Sequence, residues 1–240
     1  MYACRTGVSR VLRQVDDSIM PLRCVFCGTR TVPPEQRICV GCYRDLPWIE
    51  KACALCGQPV TIDLQRGVYC GACQASEPPC QATVAPLLYE FPVDAGLKAL
   101  KFGRRLHYAA AFGELLVAQM HRLSPDIDAL LPVPLHWRRQ AVRGFNQATE
   151  LCKSISRSSA LPIVSGVTRR RATSYQTGLA AMERSRNLRN AFVVSKKPAF
   201  RHILIVDDVV TTGATTRQLA TALLESGVEK LSVLAVARAA

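Results

Sequence analysis

From residue 84 onward the apolar positions follow two periods. Short β-favouring apolar runs at 84–89, 129–133, 163–167, 192–194, 203–206 and 231–236 predict strands. Stretches at 94–102, 108–122, 147–156 and 214–226 place apolar residues at helical spacing and predict helices. Ser124-Pro125 interrupts the second helical pattern, and Gly227 ends the last. Strands interleaved with helices imply an α/β domain whose largely parallel sheet is covered on both faces. Residues 24–80 differ: Cys, Pro and Gly are frequent, apolar runs are short, and helical periodicity is missing. A segment of this kind builds little core and needs a staple such as a metal. The expected organisation is an N-terminal extension at 1–23, a metal-stapled module at 24–80 and the α/β domain at 84–240.

Composition narrows the class. With 49% hydrophobic and 20% charged residues in 240, disorder is not expected. No apolar run reaches the length of a membrane-spanning helix. Asp16 and Asp17 stand where a secretory leader would need an apolar core, so a cytoplasmic location is expected. The formal charge of +13 suits a polyanionic ligand, a phosphorylated sugar or a nucleic acid, although it also suits a merely soluble basic surface. Two zinc ions on eight thiolates would remove about four of those charges and leave the chain basic.

Eight of the eleven cysteines form four Cys-x-x-Cys pairs: Cys24 and Cys27, Cys39 and Cys42, Cys53 and Cys56, Cys70 and Cys73. This is metal spacing, unlike a secreted disulfide framework. Cys4, Cys80 and Cys152 look incidental. Two pairs complete one tetrahedral site, with sequential or interleaved pairing both open. The Cys-x-x-Cys-Gly opening, repeated at Cys24 and Cys53, favours two tandem zinc ribbons, each a knuckle, a short hairpin and a second knuckle. Sites closed by four cysteines leave no position for substrate, so the expected role is structural. An iron–sulfur cluster is the weaker alternative.

The most informative stretch is residues 203–216, ILIVDDVVTTGATT. A buried strand would deliver Asp207 and Asp208 to the carboxyl edge of a parallel sheet, where open α/β folds bind ligands. Their carboxylates are acceptors suited to the two ribose hydroxyls. Thr211, Thr212, Gly213, Ala214 and Thr215 would then turn amides and hydroxyls toward a phosphate at the start of the next helix, with Gly213 allowing close approach. The alternative is a plain strand, turn and helix capped by Asp208 or Thr212.

This order of residues resembles the phosphoribosyl pyrophosphate loop of type I phosphoribosyltransferases. Further blocks fit one family: Pro132-Val-Pro134-Leu135, Arg143-Gly-Phe-Asn146-Gln147, Arg171-x-Thr173-x-x-Gln176-Thr177-x-Leu179, and Glu183-Arg184-x-x-Asn187-Leu188 followed by Ala191-Phe192. With two zinc ribbons in front, the chain resembles the ComF/GntX family over about residues 24–238. The resemblance implies a type I phosphoribosyltransferase-like parallel sheet flanked by helices behind a small Cys4 double zinc ribbon. It also implies phosphoribosyl pyrophosphate or a nucleotide as ligand, Mg²⁺ on the diphosphate, and a role in DNA uptake, competence or use of imported DNA, with competence-machinery proteins as partners. Pro134 would shape the diphosphate turn. Arg143 would pair with phosphate oxygens, and Asn146 and Gln147 would orient a base or the loop. Lys101 and Arg184 are further candidates to reach the ligand. The competing reading of this block is a helix N-terminus with solvated arginines.

Residues 169–190 are strongly basic and would close over the ligand as a hood. Alternatively, Arg169, Arg170, Arg171, Arg186 and Arg189 would track single-stranded DNA, with Tyr175 and Phe192 offering base stacking. Two functions follow: a phosphoribosyltransferase whose acceptor the sequence does not name, or a non-catalytic single-stranded DNA-binding adaptor that uses the nucleotide site for regulation. No general base and no amidotransferase domain is evident.

Overall fold

The computed structural model describes residues 22–31, 37–62, 68–170, 191–196 and 198–239. The chain divides into two units, one up to Leu46 and one from Pro47. Arg184, Arg171, Arg186, Arg189 and Tyr175 lie outside the described residues.

The first unit holds one ribbon. Arg23 pairs with Arg30, the Cys24 amide donates to the Thr29 carbonyl at 2.8 Å, and Gly28 makes the corner at φ 74°. Helix α1 (Val40–Arg44) follows with Cys39 at its N-cap. The second unit opens with the same construction. Ala52 pairs with Pro59, the Cys53 amide donates to Gln58 at 2.9 Å, Gly57 turns at φ 68°, and α2 (Gly71–Ala75) follows Cys70. The expected second knuckle is therefore a single helical turn. Cysteines three apart on such a turn share a face.

The rest of the second unit is the α/β domain. Its elements are β1 (Ala82–Val84), β2 (Leu87–Leu88), α3 (Val93–Gly103), α4 (His107–Gln119), β3 (Ala129–Pro132), α5 (Trp137–Arg143), α6 (Gln147–Ser159), β4 (Val167–Arg169), β5 (Phe192–Val194), β6 (His202–Val210), α7 (Ala214–Glu225) and β7 (Lys230–Arg238). The main sheet runs β1-β7-β6-β3, with β2 also beside β7, and every pairing in it is parallel. Such a sheet is covered on both faces, which is why β6 and β7 are nearly continuous apolar runs. Ile203, Ile205, Leu231 and Val233 join Leu219, Ala220 and Leu223 of α7 in one core. On the other face α6 packs on β6 and β3 and against α4. There Gly113 matters, because a Cβ on it would stand 2.4 Å from the Ser154 side chain.

The architecture is the expected one, with local differences. The 84–89 run is split by Ala85-Pro86 into β1 and β2. Of the run 163–167, Ile163 makes a single parallel bridge to Leu130. The strand itself is β4, paired antiparallel with β5 in a separate two-stranded ribbon. Helix α5, with no buried residue, has no counterpart in the periodicity. Strand β6 continues four residues past 206. It stays paired with β7 through Val210, whereas β3 stops opposite Val206.

Candidate ligand site and metal centres

Asp207 and Asp208 lie on the part of β6 that β3 leaves uncovered, and their side chains come close enough to interact. The Asp208 amide donates to Asp207 Oδ1 at 2.8 Å, and the Val209 amide donates to Asp208 Oδ1 at 3.0 Å. Lys101, near the end of α3, forms an ion pair with Asp208, and its ammonium lies 6.0 Å from the centre of the Tyr89 ring. Burial, followed by the neighbouring charge of Asp208, pushes the Asp207 carboxyl well above the usual carboxylate range. Arg143 lies within Coulombic reach of Asp208, and Arg169 of Asp207. Both guanidiniums are partly desolvated, and the charge of Arg139 also reaches them, which lowers both pKa values.

After Val210 the chain turns outward. Thr211 and Thr212 are exposed, and Gly213 caps α7 at φ 73°, ψ 3°, a left-handed conformation that disfavours any side chain. The Ala214 amide reaches Thr212 Oγ1 at a long 3.4 Å, so the alternative capping role of Thr212 is present only weakly. Thr216 Oγ1 donates to the Gly213 carbonyl at 2.9 Å. The first-turn amides of α7 have no acceptor within the helix, and with Thr211, Thr212 and Thr215 they form a donor-rich mouth.

The other expected residues are distributed unevenly. Pro134 is half-buried just after β3. Arg143 ends α5 with its guanidinium 5.2 Å from the Phe102 ring centre. Asn146 is the N-cap of α6: its Oδ1 accepts from the Ala148 amide at 3.0 Å and its Nδ2 donates to the Val133 carbonyl at 2.9 Å. Both ends of its amide serve the fold. Gln147 is 2% exposed, inside α6, and its Nε2 has no partner among the described residues. Arg169 is half-buried against Phe192, while Arg170 is exposed.

A second constellation looks catalytic but is closed. His202 is hydrogen-bonded through Nδ1 to Asp126 at 2.8 Å and through Nε2 to Ser232 Oγ at 2.9 Å. Ser232 is 1% exposed inside the sheet, beyond reach of a substrate. With Lys230 also donating to Asp126 at 2.7 Å, the group ties the amino ends of β6 and β7 together.

The cysteines fall into two groups, Cys24, Cys27, Cys39 and Cys42, and Cys53, Cys56, Cys70 and Cys73, with all sulfurs of a group within 4.8 Å of one another. The pairing is thus sequential. Sulfurs about 2.3 Å from a zinc ion at tetrahedral angles stand about 3.8 Å apart. Cys27 to Cys39 is 3.7 Å and Cys56 to Cys70 is 3.6 Å. In each group one thiol is pulled below its ordinary value, while burial pushes Cys42 and Cys73 up. Hydrogen bonding from Thr29 brings Cys27 down to about 6. Burial opposes the effect at Cys53, but backbone donation from Cys70, Cys56 and Leu55 still brings it to about 7. Both groups therefore fit structural zinc, about one ion each.

A double zinc ribbon domain family matches residues 15–74. The DNA utilization protein YhgH of Escherichia coli K12 is 36% identical over 225 residues, 91% of this chain and 98% of that protein. Competence protein F of Haemophilus influenzae is 32% identical over 227 residues, 90% of this chain and 97% of its own. The chain belongs to the competence protein F family. Among solved structures, glutamine phosphoribosylpyrophosphate amidotransferase of Bacillus subtilis is similar over 54% of this chain and 26% of its own, with TM-score 0.37 and 18% identity. Among the described residues of this competence protein F relative, no helix is long and apolar enough to cross a membrane. Three residues around the candidate site escaped the sequence reading: Tyr89, Arg139 and Arg238. Only Arg238 carried a signal, a lone cation closing the apolar run 231–237.

Proposed function

We propose that the chain binds phosphoribosyl pyrophosphate, or a nucleotide with the same ribose phosphate, at the carboxyl end of β6. Asp207 and Asp208 accept from the ribose hydroxyls, and the 211–215 turn takes the 5-phosphate. One observation carries this reading: two carboxylates on a strand edge lead directly into a left-handed glycine that caps a twelve-residue helix. Arg139, Arg143 and Arg169 supply positive charge beside it for a diphosphate. Mg²⁺ prefers oxygen ligands and keeps much of its water on a diphosphate, and the half-buried carboxylates are donors of that kind. When bound, it supplies charge neutralisation at the diphosphate. Turnover would be glycosyl transfer to an acceptor, with the protein positioning the reactants and stabilising charge. Calorimetry tests the binding. The Asp207→Asn, Asp208→Asn variant is expected to bind at least about 100-fold more weakly, since hydrogen bonds to charged groups contribute about 1.5–3 kcal/mol each. Equal heats for both proteins would sink the assignment.

A second reading, single-stranded DNA binding, is favoured by one surface. Phe102 is 72% exposed with Arg143 5.2 Å from its ring centre, and Trp137 is 63% exposed with Arg138 at 5.2 Å. Exposed rings interleaved with arginines are what base stacking and phosphate contact require. The names of the DNA utilization and competence relatives add weight. Trp137→Ala and Phe102→Ala are each expected to weaken a low-salt mobility shift by about 1–3 kcal/mol per base unstacked. Wild-type protein that fails to retard single-stranded DNA in low salt would rule this reading out.

A further inference from the structure

An ion pair joins α3 to the candidate site, and the sequence of α3 explains why it forms. Leu97 and Leu100 are fully buried, and Lys101 follows Leu97 by one helical turn, so it shares their inward face. Gly96 lets that face close on α4, because a Cβ there would stand 3.0 Å from the Tyr108 ring and 3.1 Å from Phe112. Lys98 points the other way. Its side chain is 57% exposed and pairs within the helix with Asp94 at 2.6 Å. Lys101 keeps only 18% of its side chain exposed and pairs across to Asp208, whose side chain is 15% exposed. The ammonium also stands over the Tyr89 ring, 6.0 Å from its centre, where an aromatic face favours a cation. The two oxygens of Asp208 are held differently. Oδ1 accepts from the Val209 amide at 3.0 Å, whereas Oδ2 is fully buried and meets the ammonium.

We infer that Lys101 is a positioning residue that works through Asp208: it fixes the carboxylate and offsets its charge, so that two adjacent acids can receive a polyanionic sugar phosphate. The inference rests on the reading of Asp207 and Asp208 as ribose acceptors. Adjacent carboxylates repel each other, and they repel a phosphorylated ligand as well. An ammonium in contact with one of them cancels one of those charges. It also sets the plane of the carboxylate, because each oxygen then has a fixed partner. Oδ2 is the buried oxygen, so Lys101 stands behind Asp208 as seen from solvent. The second lone pair of Oδ1 is what remains to accept from a ligand hydroxyl. Lys101 therefore acts on the ligand at one remove, without touching it.

Calorimetry on the full-length, zinc-loaded protein at fixed Mg²⁺ tests this with a two-residue cycle. Lys101→Met is expected to weaken phosphoribosyl pyrophosphate binding at least about tenfold, the scale of one interaction with a charged group. In the Asp208→Asn background the same substitution should change the affinity by less than about twofold, the margin within which independent effects are resolved. Lys101→Arg, which keeps the charge, should recover part of the affinity. Ribose 5-phosphate, which lacks the diphosphate, should lose less than phosphoribosyl pyrophosphate in Lys101→Met. A merely structural lysine would weaken both ligands alike, and that result overturns the inference. Unchanged affinity in folded Lys101→Met also overturns it, as does an equal loss in the wild-type and Asp208→Asn backgrounds, which would put Lys101 on the ligand itself. Should Lys101→Met fail to fold, Asp208→Asn and the double variant supply the comparison, since neither leaves a buried carboxylate unpaired. Equal affinities of those two uphold the inference, and a further loss in the double variant overturns it. Wild-type protein that binds neither ligand sinks the ribose reading and this inference together, whereas wild-type binding that ignores Lys101 removes the inference alone.

Discussion

At the residue scale, Asp207 sets its proposed ligand role against the stability of the fold. Its carboxyl is pushed up by burial and by the charge of Asp208, so the folded state favours its protonated form. A raised folded pKa means that the native protein binds more protons than the unfolded chain between the two pKa values. Stability therefore falls as pH rises from the unfolded carboxylate value of about 3.9. Asp207→Asn removes that burden. Thermal unfolding should show the variant melting above wild type at pH 7, with the difference closing as pH falls toward 4. A variant that melts at or below wild type at pH 7 would contradict the assignment. The same substitution is expected to weaken ligand binding, the usual trade between stability and a functional site. The placement of Asp207 and Asp208 on the buried strand and of Gly213 at the head of the next helix was legible in the sequence, because an apolar run, a glycine and a helical pattern follow one another there. Which of its two readings Asn146 follows was open in the sequence, because an asparagine that caps a helix and one that faces a ligand look alike in one dimension; here its side chain caps α6 and holds the Val133 carbonyl. Arg238 was missed because Val210, whose carbonyl it reaches, is remote from it in sequence.

Elements were legible where burial imposes a period. Helices α3, α4, α6 and α7 appear within a few residues of their expected bounds, since each presents an apolar face to the sheet or to a neighbour. Helix α5 buries nothing, so it leaves no apolar stripe. What holds it is local: His136 Nδ1 accepts from the Arg138 amide at 3.3 Å, and Gly144 closes it at φ 78°. The extension of β6 was hidden for the opposite reason. Its polar Asp207 and Asp208 read as the end of a strand, whereas backbone pairing with β7 ignores side-chain polarity. Packing between helices gives the prediction at this scale. Gly113→Val drives a branched side chain into Ser154, and overpacking of this kind costs about 1–3 kcal/mol. Denaturant unfolding should show that loss, and Gly113→Val together with Ser154→Gly should recover part of it. No recovery would mean that the two helices do not meet as described.

For the whole molecule, the amino end of the sheet carries the acid sensitivity. Hydrogen bonds from Lys230, then Ser124, with the pairing to His202, hold the Asp126 carboxyl well below the usual carboxylate range. A depressed folded pKa contributes stability that is complete above the unfolded value of about 3.9 and is lost as pH falls toward the folded one. Asp126→Asn should therefore melt lower than wild type at pH 7, and the gap should narrow below pH 4. An unchanged gap at low pH would exclude this origin. The sheet order has a further consequence, for biosynthesis. Strand β7 is last in chain order among the described strands, yet it lies between β1 and β6. A nascent chain that has not reached Lys230 holds the β3-β6 pair with one edge of β6 open, while β1 and β2 still lack their sheet partner. Unpaired edges recruit other chains, so translation of one short segment separates a sticky intermediate from a closed sheet.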